Sequence, residues 1–358
     1  MNKYLSEKLR IISFISIIMV VFLHSYNLTI KFSSGNIRFD SGYNIFIQNF
    51  FSQGITRVAV PIFFCISGYL FFLNMKGKFN EFVVKYRKRA KTLLLPYLFW
   101  SLWGLIFYFF LQILPQSKNF FTSDLIVNYS FAKLLERIFI DPIPYQLWFV
   151  RDLMVLVILS PIIYWLTKYF RAVPIILFFI IWLEFFRFSF VIVTNESVFF
   201  FCLGAYFAIN KRDFLLKKLE QKYYFIYTFF WILLVSLKTE LMHQNSDQKI
   251  LLLLLPKMSI IFGLIGVWSV YDILMTKKTS PNMMIFNLSS FSFFLYAFHE
   301  PLLKLIKKGL FYIMGTREIV SVIVYFLAPM VTIIVSILLG SFIKRNLPQF
   351  YKLITGGR

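Results

Sequence analysis

Six side chains that handle protons or hold anions stand in strongly apolar surroundings in this 358-residue sequence: His24, Arg57, Arg151, Asp152, His299 and Glu300. A histidine is the side chain best placed to take a proton from a hydroxyl near neutral pH. A guanidinium presents a fork of donors to an oxyanion or a phosphate. Each has a bland counterpart. A histidine near a membrane boundary is about as often a satisfied hydrogen-bonding residue as a base, and an arginine near the end of a span can reach the headgroups. Arg151 and Asp152 are consecutive, so they do not share a helix face and each needs a partner elsewhere. Glu184 and Arg187, three residues apart, are expected to neutralise one another.

The elements that must position these groups follow from composition. Apolar residues make up 59% of the chain, aromatic residues 21% and charged residues only 15%, and mean hydropathy is +0.72. A soluble domain of this length has too little interior to hide that much apolar surface. The expected fold class is therefore an all-α, polytopic integral membrane helical bundle of a single domain covering residues 1-358. At roughly 20 residues per crossing, about ten spans are expected: 10-30, 45-75, 92-114, 146-167, 173-194, 196-210, 222-238, 250-275, 286-306 and 319-343. The apolar stretch after Lys3, Lys8 and Arg10 has no small-residue cleavage site behind it, so it is read as an uncleaved first span. Residues 44-56 carry Gln48, Asn49, Gln53 and Gly54 and are expected to form an interfacial or re-entrant piece leading into a span that starts near Arg57.

The net charge of +22, from 38 Lys and Arg against 16 Asp and Glu, does not point to nucleic acid. The basic residues sit mainly between apolar runs, where anionic lipid headgroups and a phosphate-bearing substrate are the expected partners. The larger share falls on the N-terminal side of the membrane, so both termini are expected in the cytoplasm of a multi-pass cell-membrane protein. Cys65 and Cys202 lie within apolar runs and form no disulfide framework or zinc spacing, and no metal is expected. With a rise of 1.5 Å per residue, His24 stands roughly 21 Å above Arg10, Arg57 about 28 Å above Lys76, and Arg151 with Asp152 roughly 24 to 26 Å above Lys168. His299 and Glu300 precede Pro301, which can break a helix and free backbone carbonyls. These groups are thus expected to converge in the outer half of the bilayer, where an ionisable side chain is a functional candidate by default. On the inner side, the loop from Lys76 to Lys91 is the densest basic cluster. Topology explains most of it, but Arg87 and Arg89, at the entry to Leu95-Pro96-Tyr97, have the chemistry to grip the phosphates of a cytoplasmic cofactor.

At these residues the sequence resembles the membrane-bound acyltransferase-3 family. The resemblance runs through Val20-Val21-Phe22-Leu23-His24, Arg57-Val58-Ala59-Val60-Pro61-Ile62-Phe63-Phe64 with Ser67-Gly68-Tyr69-Leu70, and Arg87-Lys88-Arg89 leading to Leu94-Leu95-Pro96-Tyr97. It continues in Leu147-Trp148-Phe149-Val150-Arg151-Asp152-Leu153 with Ser160-Pro161, and in Tyr296-Ala297-Phe298-His299-Glu300-Pro301. The family often has a basic residue eleven positions before the histidine. That position is Ser13 here, with Arg10 one helical turn earlier on nearly the same face. The resemblance implies transfer of an acyl group, usually acetyl, to a hydroxyl of an extracytoplasmic or lipid-linked glycan. It implies an acyl-CoA such as acetyl-CoA as donor substrate, with Arg10, Arg87 and Arg89 as the residues expected to hold it and no bound cofactor. In that scheme His24 is the general base, Arg57 or Arg151 stabilises the thioester oxyanion, and His299 or Glu300, with Asp152 nearby, orients the base or shapes the acceptor pocket. The rival function is export of a glycan without acyl-transfer chemistry, since buried arginines and Pro-interrupted helices also suit a transporter.

Overall fold

A computed structural model describes residues 3-32, 35-115, 125-184, 188, 190, 192-218, 220-244, 247-274 and 283-357. Arg187, named above, lies outside the described residues. Most of the described backbone is helical. Among the described residues the strands are an antiparallel pair of four residues each, Thr29–Phe32 and Gly35–Arg38, in which Thr29 faces Arg38 and Ile30 faces Ile37. The first span expected over 10-30 therefore ends early: its helix is Lys3–His24. Beyond it, Ser25 and Asn27 commit their side chains to distant partners instead of to another helical turn.

By length and apolarity, five described stretches qualify to cross a bilayer: Tyr43–Phe72, Phe79–Ile113, Lys222–His243, Lys249–Ile273 and Glu318–Asn346. A sixth appears if Tyr145–Ile158 and Ser160–Phe170, bent by 63°, count as one broken span. The protein is thus a helical membrane protein. The shortfall from ten has a physical origin. Lys3–His24 carries Glu7, Lys8 and Arg10, and Ser292–Met314 carries Glu300, Lys304, Lys307 and Lys308, so the helices that hold His24, His299 and Glu300 are the polar ones. Val173–Trp182 and Asn195–Asn210 are short. The expected break inside the second span is present: a helix Tyr43–Phe51, a turn, a 3-10 turn Ile55–Val58 and a helix Ala59–Phe72.

The chain forms two compact units, each assembled from separate stretches. The first comprises Met1–Val20, Gln53–Arg89 and Asp152–Ser292, and the second Val21–Ser52, Ala90–Arg151 and Phe293–Arg358. In the first unit, Ala59–Phe72 and Asn195–Asn210 pack through glycines. A Cβ on Gly68 would stand 2.1 Å from the Phe201 carbonyl oxygen, and one on Gly204 would stand 2.0 Å from that of Cys65. Small residues let two backbones approach this closely, and a backbone obstacle cannot rotate away. Gly204→Ala is accordingly expected to destabilise the protein by about 1–3 kcal/mol, read as a lower unfolding temperature in detergent. Gly309→Ala, where nothing lies within 4 Å, serves as the neutral control, and equal unfolding temperatures for the two would contradict the packing argument.

In the second unit, a buried polar network ties the segment after His24 to its neighbours. Gln48 donates to Asn27 Oδ1 at 2.8 Å and to Asn44 Oδ1 at 2.6 Å, Asn27 Nδ2 donates to the Ser321 carbonyl, and the Ser321 hydroxyl donates to Asn27 Oδ1. Asn27, Asn44, Gln48 and Ser321 are all buried. Their amides and hydroxyl find partners inside the protein, which is the condition for keeping such groups away from water.

Candidate active site

His24 is the last residue of its helix, where carbonyl groups lack intrahelical partners. Lys307 meets this need: its ammonium donates to the His24 carbonyl at 2.7 Å and to the Tyr26 carbonyl at 3.2 Å. A cation there also suits the negative end of the helix dipole. Ser25 adds a hydrogen bond to the Tyr325 carbonyl at 2.6 Å. The histidine backbone is therefore held from several directions within the second unit.

Its ring meets two other groups. Nδ1 lies 2.6 Å from the Tyr145 hydroxyl, with the rings edge to face at a centroid separation of 4.8 Å. The His299 ring stacks on His24 at 5.4 Å and 22°. Tyr145 opens the 3-10 turn Tyr145–Leu147, and the Glu300 carboxyl is a second hydrogen-bonding partner of its hydroxyl. Lys307 and Lys304 are the cations acting on that carboxyl.

Pro301 explains how these groups are presented. Proline has no N–H, so the Ala297 carbonyl loses its helical partner, and the backbone leaves helical geometry at Glu300 with φ −106° and ψ 131°. The freed carbonyls are taken up by Gln146, whose amide donates to Ala297 at 3.1 Å and to Glu300 at 3.2 Å. Tyr296 returns a hydrogen bond to the Gln146 carbonyl at 2.6 Å. The break thus locks the turn carrying Tyr145 onto the segment carrying His299 and Glu300. His299 is fully buried. Its Nδ1 lies 2.7 Å from the Tyr296 carbonyl, and because a carbonyl only accepts, the proton sits on Nδ1. Nε2 has no hydrogen-bond partner among the described residues.

Of the six candidates read from the sequence, the structure gathers His24, His299 and Glu300. Arg151 is in the same unit, where its guanidinium donates to the Ile140 carbonyl at 2.9 Å and so braces the turn after the helix Phe131–Phe139. Arg57 and Asp152 belong to the first unit. Asp152 is buried and accepts from the Thr194 N–H at 3.0 Å, ahead of the helix Asn195–Asn210. Also in the first unit, Arg10 donates to the Ser289 hydroxyl at 2.7 Å and the Phe286 carbonyl at 3.0 Å, with the Phe286 ring 3.9 Å beneath it. Arg87 is exposed, whereas Arg89 lies over the Phe71 ring at 5.9 Å. Glu184 pairs with Lys257 at 2.7 Å; the expected pair with Arg187 lies outside the described residues. Tyr145, Gln146 and Lys307 are not among the candidates that the sequence offers. The only sequence signal for the first two is their place directly before Leu147-Trp148, and Lys307 sits in a run of lysines that looks like a membrane boundary.

The arrangement supplies proton transfer with a defined direction. If the Tyr145 O–H is donated to Glu300, its oxygen accepts the His24 Nδ1–H, and the imidazole then carries its basic lone pair on Nε2. A base oriented through its other ring nitrogen by a group that is itself anchored is the geometry general-base catalysis requires.

Residues 9–341 match the model of a family described as an acyltransferase domain. The chain is also similar to the succinoglycan biosynthesis protein ExoH of Rhizobium meliloti (strain 1021), at 25% identity over all of this chain and 94% of that protein. No solved structure matches.

Proposed function

The chain belongs to the acyltransferase-domain family, and on that premise we propose that it moves a small acyl group, acetyl by family default, from acyl-CoA to a hydroxyl of an extracytoplasmic or lipid-linked glycan. The observation that carries this reading is the Glu300, Tyr145 and His24 chain of hydrogen bonds. It ends on an imidazole nitrogen suited to deprotonate an alcohol. The attack forms a bond from the acceptor oxygen to the thioester carbon, and collapse of the tetrahedral adduct releases CoA as the thiolate. The proton taken by His24 is returned to that sulfur. His299, stacked on His24, sets the ring plane, while Lys304 and Lys307 keep the neighbourhood of Glu300 electropositive. Arg87 and Arg89, with Arg10, are the candidates for the phosphates of the donor, on the ground that a guanidinium fork matches phosphate oxygens. The protein acts as a multi-pass component of the cell membrane, and the similarity to a protein named for succinoglycan biosynthesis supports a glycan as acceptor.

The test is mass spectrometry of surface glycans from cells with the intact gene and with a deletion. An ester-linked acyl group present only with the intact gene is the expected result, and its mass identifies the acyl group. Unchanged acylation with an altered amount of surface glycan would replace this reading with glycan export.

A further inference from the structure

Within the first unit, a second group of charged side chains gathers away from any role assigned so far. Lys238, in the helix Gln221–His243, is only 6% exposed, and its ammonium donates to the Gln53 carbonyl at 3.1 Å. Arg57 follows Gln53 on the 3-10 turn, is exposed, and adds its positive charge to that of Lys238. Lys257 is 14% exposed, pairs with Glu184 at 2.7 Å and lies over the Trp182 ring at 5.0 Å. Glu196, in the first turn of Asn195–Asn210, feels both Arg57 and Lys257.

The charges do not balance. Among the described residues the group has three cations, Arg57, Lys238 and Lys257, and two carboxylates, Glu184 and Glu196. Glu184 is taken by Lys257, and Glu196 is shared between Arg57 and Lys257. Lys238 is left with a neutral carbonyl. A buried ammonium without a counter-ion is costly, and it is more so in a bilayer, where helices as long and apolar as those of Lys238 and Lys257 can lie. An anionic group drawn from the membrane would supply the missing charge. A guanidinium fork beside an ammonium suits a group with several anionic oxygens, which is the chemistry of phosphate.

We propose that Arg57, Lys238 and Lys257 form a binding site for the phosphate group of a lipid. Two sources offer that chemistry, the diphosphate of a lipid that carries a glycan and the phosphodiester of an anionic phospholipid. Use of the site to seat the acceptor rests on the acyl-transfer reading, whereas phosphate binding itself does not. The assignment also gives Arg57 a role other than the oxyanion contact expected from the sequence.

The experiment is native mass spectrometry of the purified full-length protein in an uncharged detergent, with farnesyl diphosphate, farnesol or phosphatidylglycerol added. Farnesyl diphosphate should be retained at least tenfold better than farnesol. Lys238→Met and Arg57→Gln should each remove most of that preference, and Lys238→Arg should keep it. Because Lys238→Met deletes an uncompensated charge, the ligand-free variant should unfold at or above the wild-type temperature, which separates loss of binding from loss of fold. Phosphatidylglycerol that displaces farnesyl diphosphate identifies a phospholipid headgroup site, and failure to displace it identifies the glycan carrier. Equal retention of farnesyl diphosphate and farnesol, or retention untouched in Lys238→Met, would overturn the proposal. Wild-type protein that retains farnesyl diphosphate in this way but transfers no acyl group would sink the enzyme reading and leave this site standing.

Discussion

His24→Ala is expected to lower acyl transfer by about 10²–10⁴-fold, the range that a positioned general base contributes, at a matched amount of protein in the membrane. Tyr145→Phe removes one oxygen and keeps the ring that meets His24 edge to face. It should cost about 1.5–3 kcal/mol, the worth of a hydrogen bond to a charged group, or roughly ten- to a hundredfold in rate. The discriminating variant is the double substitution. If Tyr145 works only by orienting His24 through Nδ1, His24→Ala/Tyr145→Phe should be no slower than His24→Ala, since residues acting as one unit are not additive. Independent losses that multiply would instead give Tyr145 its own contact with donor or acceptor. A full-rate His24→Ala enzyme would remove the general-base assignment altogether. The assay is release of CoA thiol from purified protein, followed with acceptor glycan present and absent.

Why His24 was visible in the sequence and Tyr145 was not is a matter of contrast. His24 and His299 are two of only three histidines, whereas Tyr145 is one of 20 tyrosines in a chain with 47 phenylalanines. The helical membrane architecture, the break after Phe51 and the interruption at Pro301 were legible because apolar runs, polar intrusions and proline act locally. The end of the first helix was not. Leu28 and Ile30 continue the apolar pattern, and the chain turns because Ser25 bonds Tyr325 and Asn27 bonds Gln48 and Ser321, partners scattered along the sequence. Lys304, Lys307 and Lys308 look like a membrane boundary, yet their helix runs on to Met314 and Lys307 is spent on the His24 carbonyl. Arg151 and Asp152 hydrogen-bond the backbone of Ile140 and Thr194, partners that their place in the sequence does not indicate. Glu184 and Lys257 are 73 positions apart, a separation at which no spacing rule speaks.

The second large effect is expected at the start of the first helix. Lys8 and Asp272 are both nearly inaccessible, at 1% and 4% exposure. The ammonium reaches both carboxylate oxygens at 2.8 Å, the Tyr4 hydroxyl donates to the same carboxylate, and Lys8 lies 4.2 Å from the centre of the Trp268 ring. An enclosed pair of this kind need not add net stability, because both ions gave up their hydration, but losing one partner strips the other of the opposite charge it is paired with. Lys8→Met and Asp272→Leu should therefore each destabilise the protein by about 3–5 kcal/mol, seen as a large fall in unfolding temperature in detergent. Lys8→Met/Asp272→Leu, which replaces the pair with apolar side chains, should recover most of the loss and can equal or exceed wild type. Recovery in the double variant is the informative outcome, since it assigns the damage in the singles to a stranded charge. A double variant as unstable as the sum of the singles would mean that the pair itself holds the helix Lys3–His24 in place.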